Sequence, residues 1–339
     1  MPSYHSVKRV FWLSIMTAIL LTLAIYLIPT SIEDFYDNPA LNDTGGSYYF
    51  WKFLPEDKDI VARLTAWGFF LLHFVTVTYF IVKLRHNPKE KGSELSKYNI
   101  YLLWINLFYI LLHFVHTWLW YDALATDTPV WSSQGSVIIM LILILILENR
   151  RRGLLFGKKV PLPKESVRVI TKSHGIYIAL ATIFTFWFHP MEFLWAHTIG
   201  FLYMFLLFIQ ISLTRTKMHQ NIYWTFTLEV LVLIHGTVVA FTTDNAPWAM
   251  FLFGFAIILF VTQIYGLKLN KWFIRVTQIL FVLLTLFTYS GLIGDRTFSQ
   301  IHEIFRIPVI DYVLVFVFVY VIYLPIFIKQ KWFTKPIAQ

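Results

Sequence analysis

The sequence predicts an all-α, polytopic integral membrane protein with about ten transmembrane helices. Hydrophobic residues make up 58% of the 339-residue chain, the mean hydropathy is +0.63, and charged residues account for 14%. A soluble domain carries roughly 25% charged residues. The 18 tyrosines and 13 tryptophans fit the same class, because both residue types favour membrane–water interfaces.

Ten apolar runs are long enough to cross a bilayer, which takes about 20 residues each. The first run follows Lys8 and Arg9 and can span the membrane, so we interpret it as a helix rather than as a cleaved signal peptide. The fourth run has a short aliphatic part, Val137–Leu147. The predicted spans cover residues 9–28, 61–83, 98–122, 132–148, 169–188, 191–213, 222–243, 247–266, 272–291 and 308–328.

The loops between these runs alternate in charge. Every even-numbered run is followed by basic residues, as at Lys89 and Lys91 after the second run. The alternate loops are acidic or almost uncharged, as at Asp57 and Asp59 after the first run. By the positive-inside rule, both termini are expected in the cytoplasm. The net charge of +9 then reflects orientation in a lipid bilayer and does not indicate a nucleic-acid partner. A cysteine-free chain rich in Lys, Ile and Phe fits a bacterial plasma membrane.

Residues 149–168 hold seven basic residues, two glycines and two prolines and are the natural linker of the chain. They separate a first five-helix half, residues 1–148, from a second five-helix half, residues 169–339. An odd number of spans in each half would invert the second half relative to the first, as in many transporters. Because the two halves are not clearly alike in sequence, an inverted repeat remains open.

The pentapeptide Leu-Leu-His-Phe-Val occurs twice, at residues 71–75 and 111–115, inside apolar runs. A polar group without a partner in hydrocarbon costs several kcal/mol, so such histidines need a partner or a function. At 1.5 Å per residue, five histidines fall roughly 9–18 Å below the outer surface on four different helices. Two of them are spaced i, i+3 and share a helix face. The five are His73, His113, His116, His197 and His235.

Several kinds of site could use these five histidines. Two imidazoles on different helices can bind haem b, and three or four can bind Cu, Zn or Fe together with carboxylates. They could also form a proton relay in a transporter, or simply bond to backbone and hydroxyl groups on the next helix. The chain has no cysteine, which excludes thiolate ligands, Fe–S clusters and covalently attached haem.

Two histidine pairs bracket single helices: His174 with His189, and His219 with His235. The segment SLTRTKMHQNIYWTFTLEVLVLIHG, Ser212–Gly236, resembles a stretch of the ferric reductases and related transmembrane cytochromes b. That resemblance implies an inner and an outer haem. The spacing here is longer than in that family. A step of 16 residues turns a helix by about 160°, so the second pair cannot face one core in a regular helix.

Glu229 is the only carboxylate well inside a predicted span, and an intramembrane acid is functional by default. Asn106, Gln210, Gln263 and Gln278 lie in the inner halves of spans and could bond across helices. The first functional hypothesis is a membrane redox protein that takes electrons from a quinol or a cytoplasmic donor, with a possible partner redox subunit. The alternative is a transporter or channel for a small solute or metal ion that uses the histidines and Glu229. Whether the protein is an enzyme stays open.

Overall fold

The computed structural model describes residues 4–28, 59–86, 95–120, 123–191, 195–242, 247–292 and 296–333. These residues form ten α-helices and three 3-10 segments, and no β-strand is found among them. The 3-10 segments are Leu124–Thr126, Gln263–Leu267 and Phe298–Phe305. The helices are α1 (Tyr4–Leu27), α2 (Ile60–His86), α3 (Lys97–Trp120), α4 (Val130–Arg152), α5 (Lys164–Phe188), α6 (Trp195–Ser212), α7 (Ile222–Thr242), α8 (Trp248–Val261), α9 (Lys271–Thr288) and α10 (Arg306–Phe333).

The protein is an all-α polytopic membrane protein, as predicted. Each of the ten predicted runs overlaps one helix, and within the described ranges nine helices are long and apolar enough to cross a bilayer. The exception is α8, which has 14 residues. The cytoplasmic position of both termini stays a prediction.

The predicted span 247–266 is interrupted at Thr262. Here the α-helix ends, and the 3-10 segment Gln263–Leu267 continues the chain. The hydroxyl of Thr262 donates to the backbone oxygen of Leu154 at 2.5 Å and lies 2.7 Å from the hydroxyl of Tyr312. The buried hydroxyl of Thr262 therefore joins the end of α8 to the segment after α4 and to α10.

The chain divides into two compact units. The first unit contains Met1–Met140 and Gly175–Leu228, and the second contains Leu141–His174 and Glu229–Gln339. Helices α4, α5 and α7 therefore contribute residues to both units. The predicted division into residues 1–148, 149–168 and 169–339 concerns membrane topology rather than packing, and it stays a prediction.

In the first unit, α2 packs along α3, and α6 contacts both α1 and α3. The buried residues of α2 are spaced by four, four and three, as in Ala62, Ala66, Phe70 and His73, and so follow an eleven-residue repeat. The buried residues of α3 include a seven-residue repeat. A seven-residue repeat is typical of left-handed helix pairs and an eleven-residue repeat of right-handed ones, so the two helices do not share one coiled-coil pattern. In lipid, such pairs depend on close packing and hydrogen bonds rather than on the hydrophobic effect.

In the second unit, α8 packs against α10 and against the segment Phe298–Phe305. Ala249, Phe253, Tyr289 and Ile304 form a buried apolar cluster there. The hydroxyl of Tyr289 donates to Oε1 of Glu303 at 2.7 Å, so the end of α9 is tied to the same segment. These contacts give the second unit a core of its own.

The packed α2 face generates a stability prediction. Ala66 is 1% exposed, so Ala66→Leu inserts three carbon atoms into a filled contact and should cost about 1–3 kcal/mol. The measurement is unfolding of the detergent-solubilised protein, followed by circular dichroism. Val75→Leu on the lipid-facing side of α2, where Val75 is 59% exposed, is the matched control. Equal stability of the two variants would contradict the assigned packing.

Candidate ligand site in the first unit

Polar side chains collect on one face of α3. The seven-residue spacing places Asn99, Asn106 and His113 in one line, with Tyr109 and His116 in the line beside it. All five side chains are buried. From Asn99 to His116 the helix rises about 26 Å, which is most of the roughly 30 Å hydrocarbon thickness. The polar column therefore runs nearly the full depth of a bilayer.

His73 connects α2 to α3 and α5, and its side chain is completely buried. Nε1 of Trp187 lies 3.3 Å from Nδ1 of His73. Because an indole N–H can only donate, this imidazole nitrogen accepts. The ring hydrogen is therefore on Nε2, which donates to Oδ1 of Asn106 at 2.9 Å. Both nitrogens of His73 are occupied, and the ring is neutral.

The bond from His73 fixes the orientation of the Asn106 amide. Its Nδ2 faces α6 and donates to Oγ of Ser212 at 2.9 Å, and that hydroxyl donates to the backbone oxygen of Phe208 at 2.7 Å. Every donor in the chain from Trp187 to Phe208 thus points the same way. A primary amide carries two N–H donors. The second one on Asn106 makes no bond to the described residues.

His113 and His116 use their Nε2 atoms in the same manner. Nε2 of His113 donates to the backbone oxygen of His189 at 2.8 Å. Nε2 of His116 lies 3.2 Å from the backbone oxygen of Ala62 and 3.1 Å from Oγ1 of Thr65. Because carbonyl oxygens only accept, both Nε2 atoms carry hydrogen. These two rings bond to groups at the ends of neighbouring helices. This is the arrangement expected if the histidines serve only to hold helices together.

The rings of His73, His113 and His116 are packed among other side chains of the first unit. The ring of His73 stacks on Tyr109 at 4.2 Å, and His113 contacts the ring of Trp187 at 4.3 Å. A haem iron needs the lone pair of an imidazole nitrogen and a flat, open space on its porphyrin faces. Here the Nε2 atoms of all three rings donate, and Nδ1 of His73 accepts from Trp187. Nδ1 of His113 and Nδ1 of His116 both lack a hydrogen-bond partner within the described ranges, and the centroids of the two rings lie 6.3 Å apart.

The remaining predicted ligands lie elsewhere. His197 is on α6, with its ring 5.3 Å from that of His189, and His235 is on α7 in the second unit. No group of three or more His, Asp or Glu residues converges on a common point in the part of the chain that the structure describes. The haem b, Cu, Zn and Fe sites stay predictions.

A groove opens beside the polar column, between α1, α3 and α6. Its volume is about 270 Å³. Its lining includes the polar residues Asn106 and Ser212, which we call the floor of the groove, and Ser14 and Thr17 on the α1 side. The hydroxyls of both α1 residues donate to their own helix. The other lining residues are apolar and include the aromatic side chains Trp104, Phe205 and Phe208.

Glu229 forms a buried ion pair in the second unit. Its carboxylate accepts from both terminal nitrogens of Arg152, at 2.6 and 2.8 Å. The side chains of Arg152 and Glu229 are 1% and 4% exposed. The charge of Glu229 is therefore matched within the protein by a bidentate partner. Its predicted role in a proton or substrate pathway stays a prediction.

Two contacts were missed by the sequence reasoning. By sequence Arg152 belongs to the basic linker, although its side chain points back to Glu229. Nothing in the sequence marks Trp187 as the residue that sets the tautomer of His73. A signal for the polar column was available in the sequence. Asn99, Asn106 and His113 are each seven residues apart, which is the period of two packed helices.

Comparison with known proteins does not connect this site to an established function. No known protein family, curated protein or solved structure matches the chain.

The directed chain predicts that His73 is essential for stability. His73→Leu leaves the indole N–H of Trp187 and Oδ1 of Asn106 buried without partners, and each unpaired group costs about 1–3 kcal/mol. Unfolding in detergent should show the loss. Leu72→Ala, on the lipid-facing side where Leu72 is 57% exposed, should change stability much less. A His73→Leu protein as stable as the parent would contradict the chain of donors.

The ion pair of the second unit generates a separate prediction. Arg152→Leu leaves the Glu229 carboxylate buried and uncompensated, which should lower stability by about 3–5 kcal/mol. The double variant Arg152→Leu/Glu229→Leu should recover most of that loss, because no charge then remains. Both are measured by thermal unfolding in detergent. If Glu229→Gln left stability unchanged and abolished a pH-dependent solute flux, Glu229 would belong to a transport pathway instead.

Proposed function

We propose that this chain is a membrane protein of electron transport that binds a quinone or quinol in the groove between α1, α3 and α6. The observation that carries the proposal is an apolar, charge-free groove with one oriented amide donor at its floor. Such a groove fits the redox hypothesis, in which a quinol is the membrane partner. A bacterial plasma membrane is the location we propose.

The lining supports a neutral ligand. None of its residues is charged, so the phosphate of a lipid headgroup would enter without a counter-charge, at a high desolvation cost. The same argument weighs against a metal ion or a charged solute at this point. A ligand from the bilayer that is neutral and largely apolar meets the lining without such a cost.

The floor of the groove supports a ligand with a hydrogen-bond acceptor. Oδ1 of Asn106 is taken by His73 and one N–H by Ser212, so the amide has only an N–H left to offer. A quinone carbonyl accepts such a bond, and Trp104, Phe205 and Phe208 can pack on a planar ring. The groove is at the small end of ligand sites, which run from about 300 Å³ upward, so it suits a single-ring head with its tail in the lipid.

The burial of Glu229 also favours the redox hypothesis over the transport hypothesis. A carboxylate that carries protons or cations has to be reachable, whereas this one is 4% exposed and held by Arg152. The redox hypothesis does not require the ion pair of Glu229 with Arg152 to open. The group that exchanges electrons with the bound quinone remains the haem, metal or partner subunit expected from the sequence.

The test is the quinone content of the protein purified from bacterial membranes in mild detergent. We expect about one quinone per chain, detected by solvent extraction and chromatography, as for one ligand in one groove. Ser14→Phe should lower that content because it fills the groove without touching the hydrogen-bond chain. Asn106→Leu should also lower it by removing the donor.

The control is Phe108→Leu, which lies on α3 with Phe108 59% exposed and outside the groove lining. It should retain the quinone. Oxidised and dithionite-reduced absorption spectra and metal analysis on the same samples test for the expected electron-transfer group. A quinone content unaffected by Ser14→Phe, or a groove that retains a phospholipid instead, would overturn the proposal.

A further inference from the structure

A short hairpin follows α4 in the second unit. It contains residues 153–160, which we call the basic hairpin. The backbone N–H of Leu154 donates to the oxygen of Lys158 at 3.0 Å, and that of Lys158 donates to the oxygen of Leu155 at 2.8 Å. Gly153 and Gly157 have positive φ angles of 80° and 76°. A Cβ on Gly153 would lie 2.5 Å from the backbone of Gly157, so the turn requires glycine there.

Hydrogen bonds join the basic hairpin to α4 and to the end of α8. The Asn149 side chain donates to the oxygen of Val160 at 2.7 Å and accepts from its N–H at 3.0 Å. The N–H of Phe156 donates to the oxygen of Val261, at the end of α8, at 2.8 Å. A Cβ on Gly157 would meet the ring of Tyr265 at 2.9 Å. The hairpin is therefore built into the unit and is not a loose connection.

This fastened hairpin holds two apolar side chains outward. Leu155 is 39% exposed and Phe156 is 58% exposed. Phe156 also has a positive φ of 49°, a region that bulky residues avoid and that Asn or Gly would adopt more readily. A strained backbone that presents a large apolar side chain points to a use for that side chain.

The surroundings of the tip identify its partner. The hairpin directly follows the spanning helix α4 and bonds to the end of α8, so it lies where the apolar helices meet the headgroup region. Lys158 and Lys159 are exposed beside the tip. Apolar side chains flanked by lysines are suited to an anionic lipid surface, where the chains enter the acyl boundary and the ammonium groups meet phosphate.

We propose that the basic hairpin is a lipid anchor. Leu155 and Phe156 insert into the leaflet next to the end of α4, and Lys158 and Lys159 bind the phosphates of anionic phospholipids. The anchor holds whether or not the groove of the first unit binds a quinone.

The cysteine-free chain allows a direct test. Leu155→Cys is labelled with an environment-sensitive fluorophore, and the protein is placed in nanodiscs that contain doxyl-labelled phosphatidylcholine, with or without phosphatidylglycerol. We expect blue-shifted emission and strong quenching by the shallow doxyl group, and stronger quenching with the anionic lipid. A label on Lys164→Cys, the exposed first residue of α5, is the control and should remain in water.

Two further variants separate the parts of the anchor. Lys158→Gln and Lys159→Gln should each weaken insertion into anionic nanodiscs by about five-fold, the contribution of one basic residue near such a surface. Phe156→Asn should keep or raise thermal stability, because Asn tolerates the left-handed backbone, and should move the label at position 155 into water.

Some results would overturn the proposal. One is a label at position 155 that stays accessible to water in both lipid mixtures. Another is blue-shifted emission without doxyl quenching, which would place the tip against protein instead of lipid. Equal quenching with and without phosphatidylglycerol would contradict the binding of anionic phospholipids by Lys158 and Lys159.

Discussion

The hydrogen bond from His73 to Asn106 is the contact on which the first unit depends. It joins α2 to α3 at mid-helix, and through Trp187 and Ser212 it extends to α5 and α6. In hydrocarbon there is no water to replace a lost partner, so each member of such a chain has to be satisfied by the next. Four helices are thereby held in one register by a few polar atoms. The orientation of the groove floor is a by-product of the same chain.

The ten helices were predictable because length and hydropathy decide them almost without regard to packing. The helices that carry the five predicted histidines were predictable for the same reason. The hydrogen-bond partners of the histidines were not. His113 bonds to a backbone oxygen of His189, and a backbone acceptor is the same for every residue type, so nothing in the sequence marks it.

The limits of sequence reasoning are also visible at Arg152 and Thr262. Arg152 is the last residue of a basic run that is typical of a cytoplasmic linker, yet its guanidinium is buried against Glu229, 77 residues later in the chain. Thr262 lies in an apolar run that reads as one span, yet its hydroxyl bonds to Leu154 and Tyr312 and the α-helix stops there. Both outcomes depend on long-range partners, which local patterns do not contain.

The short α8 has a consequence for the surrounding lipid. Its 14 residues rise about 21 Å, well below the roughly 30 Å of an average hydrocarbon core. A mismatch of this size costs fractions of a kcal/mol per ångström, and the bilayer responds by thinning or the neighbouring protein covers the helix ends. The segment Phe298–Phe305 packs against α8 and supplies part of that cover. Where α8 is not covered by protein, the acyl chain length of the surrounding lipid sets the free-energy cost of the mismatch.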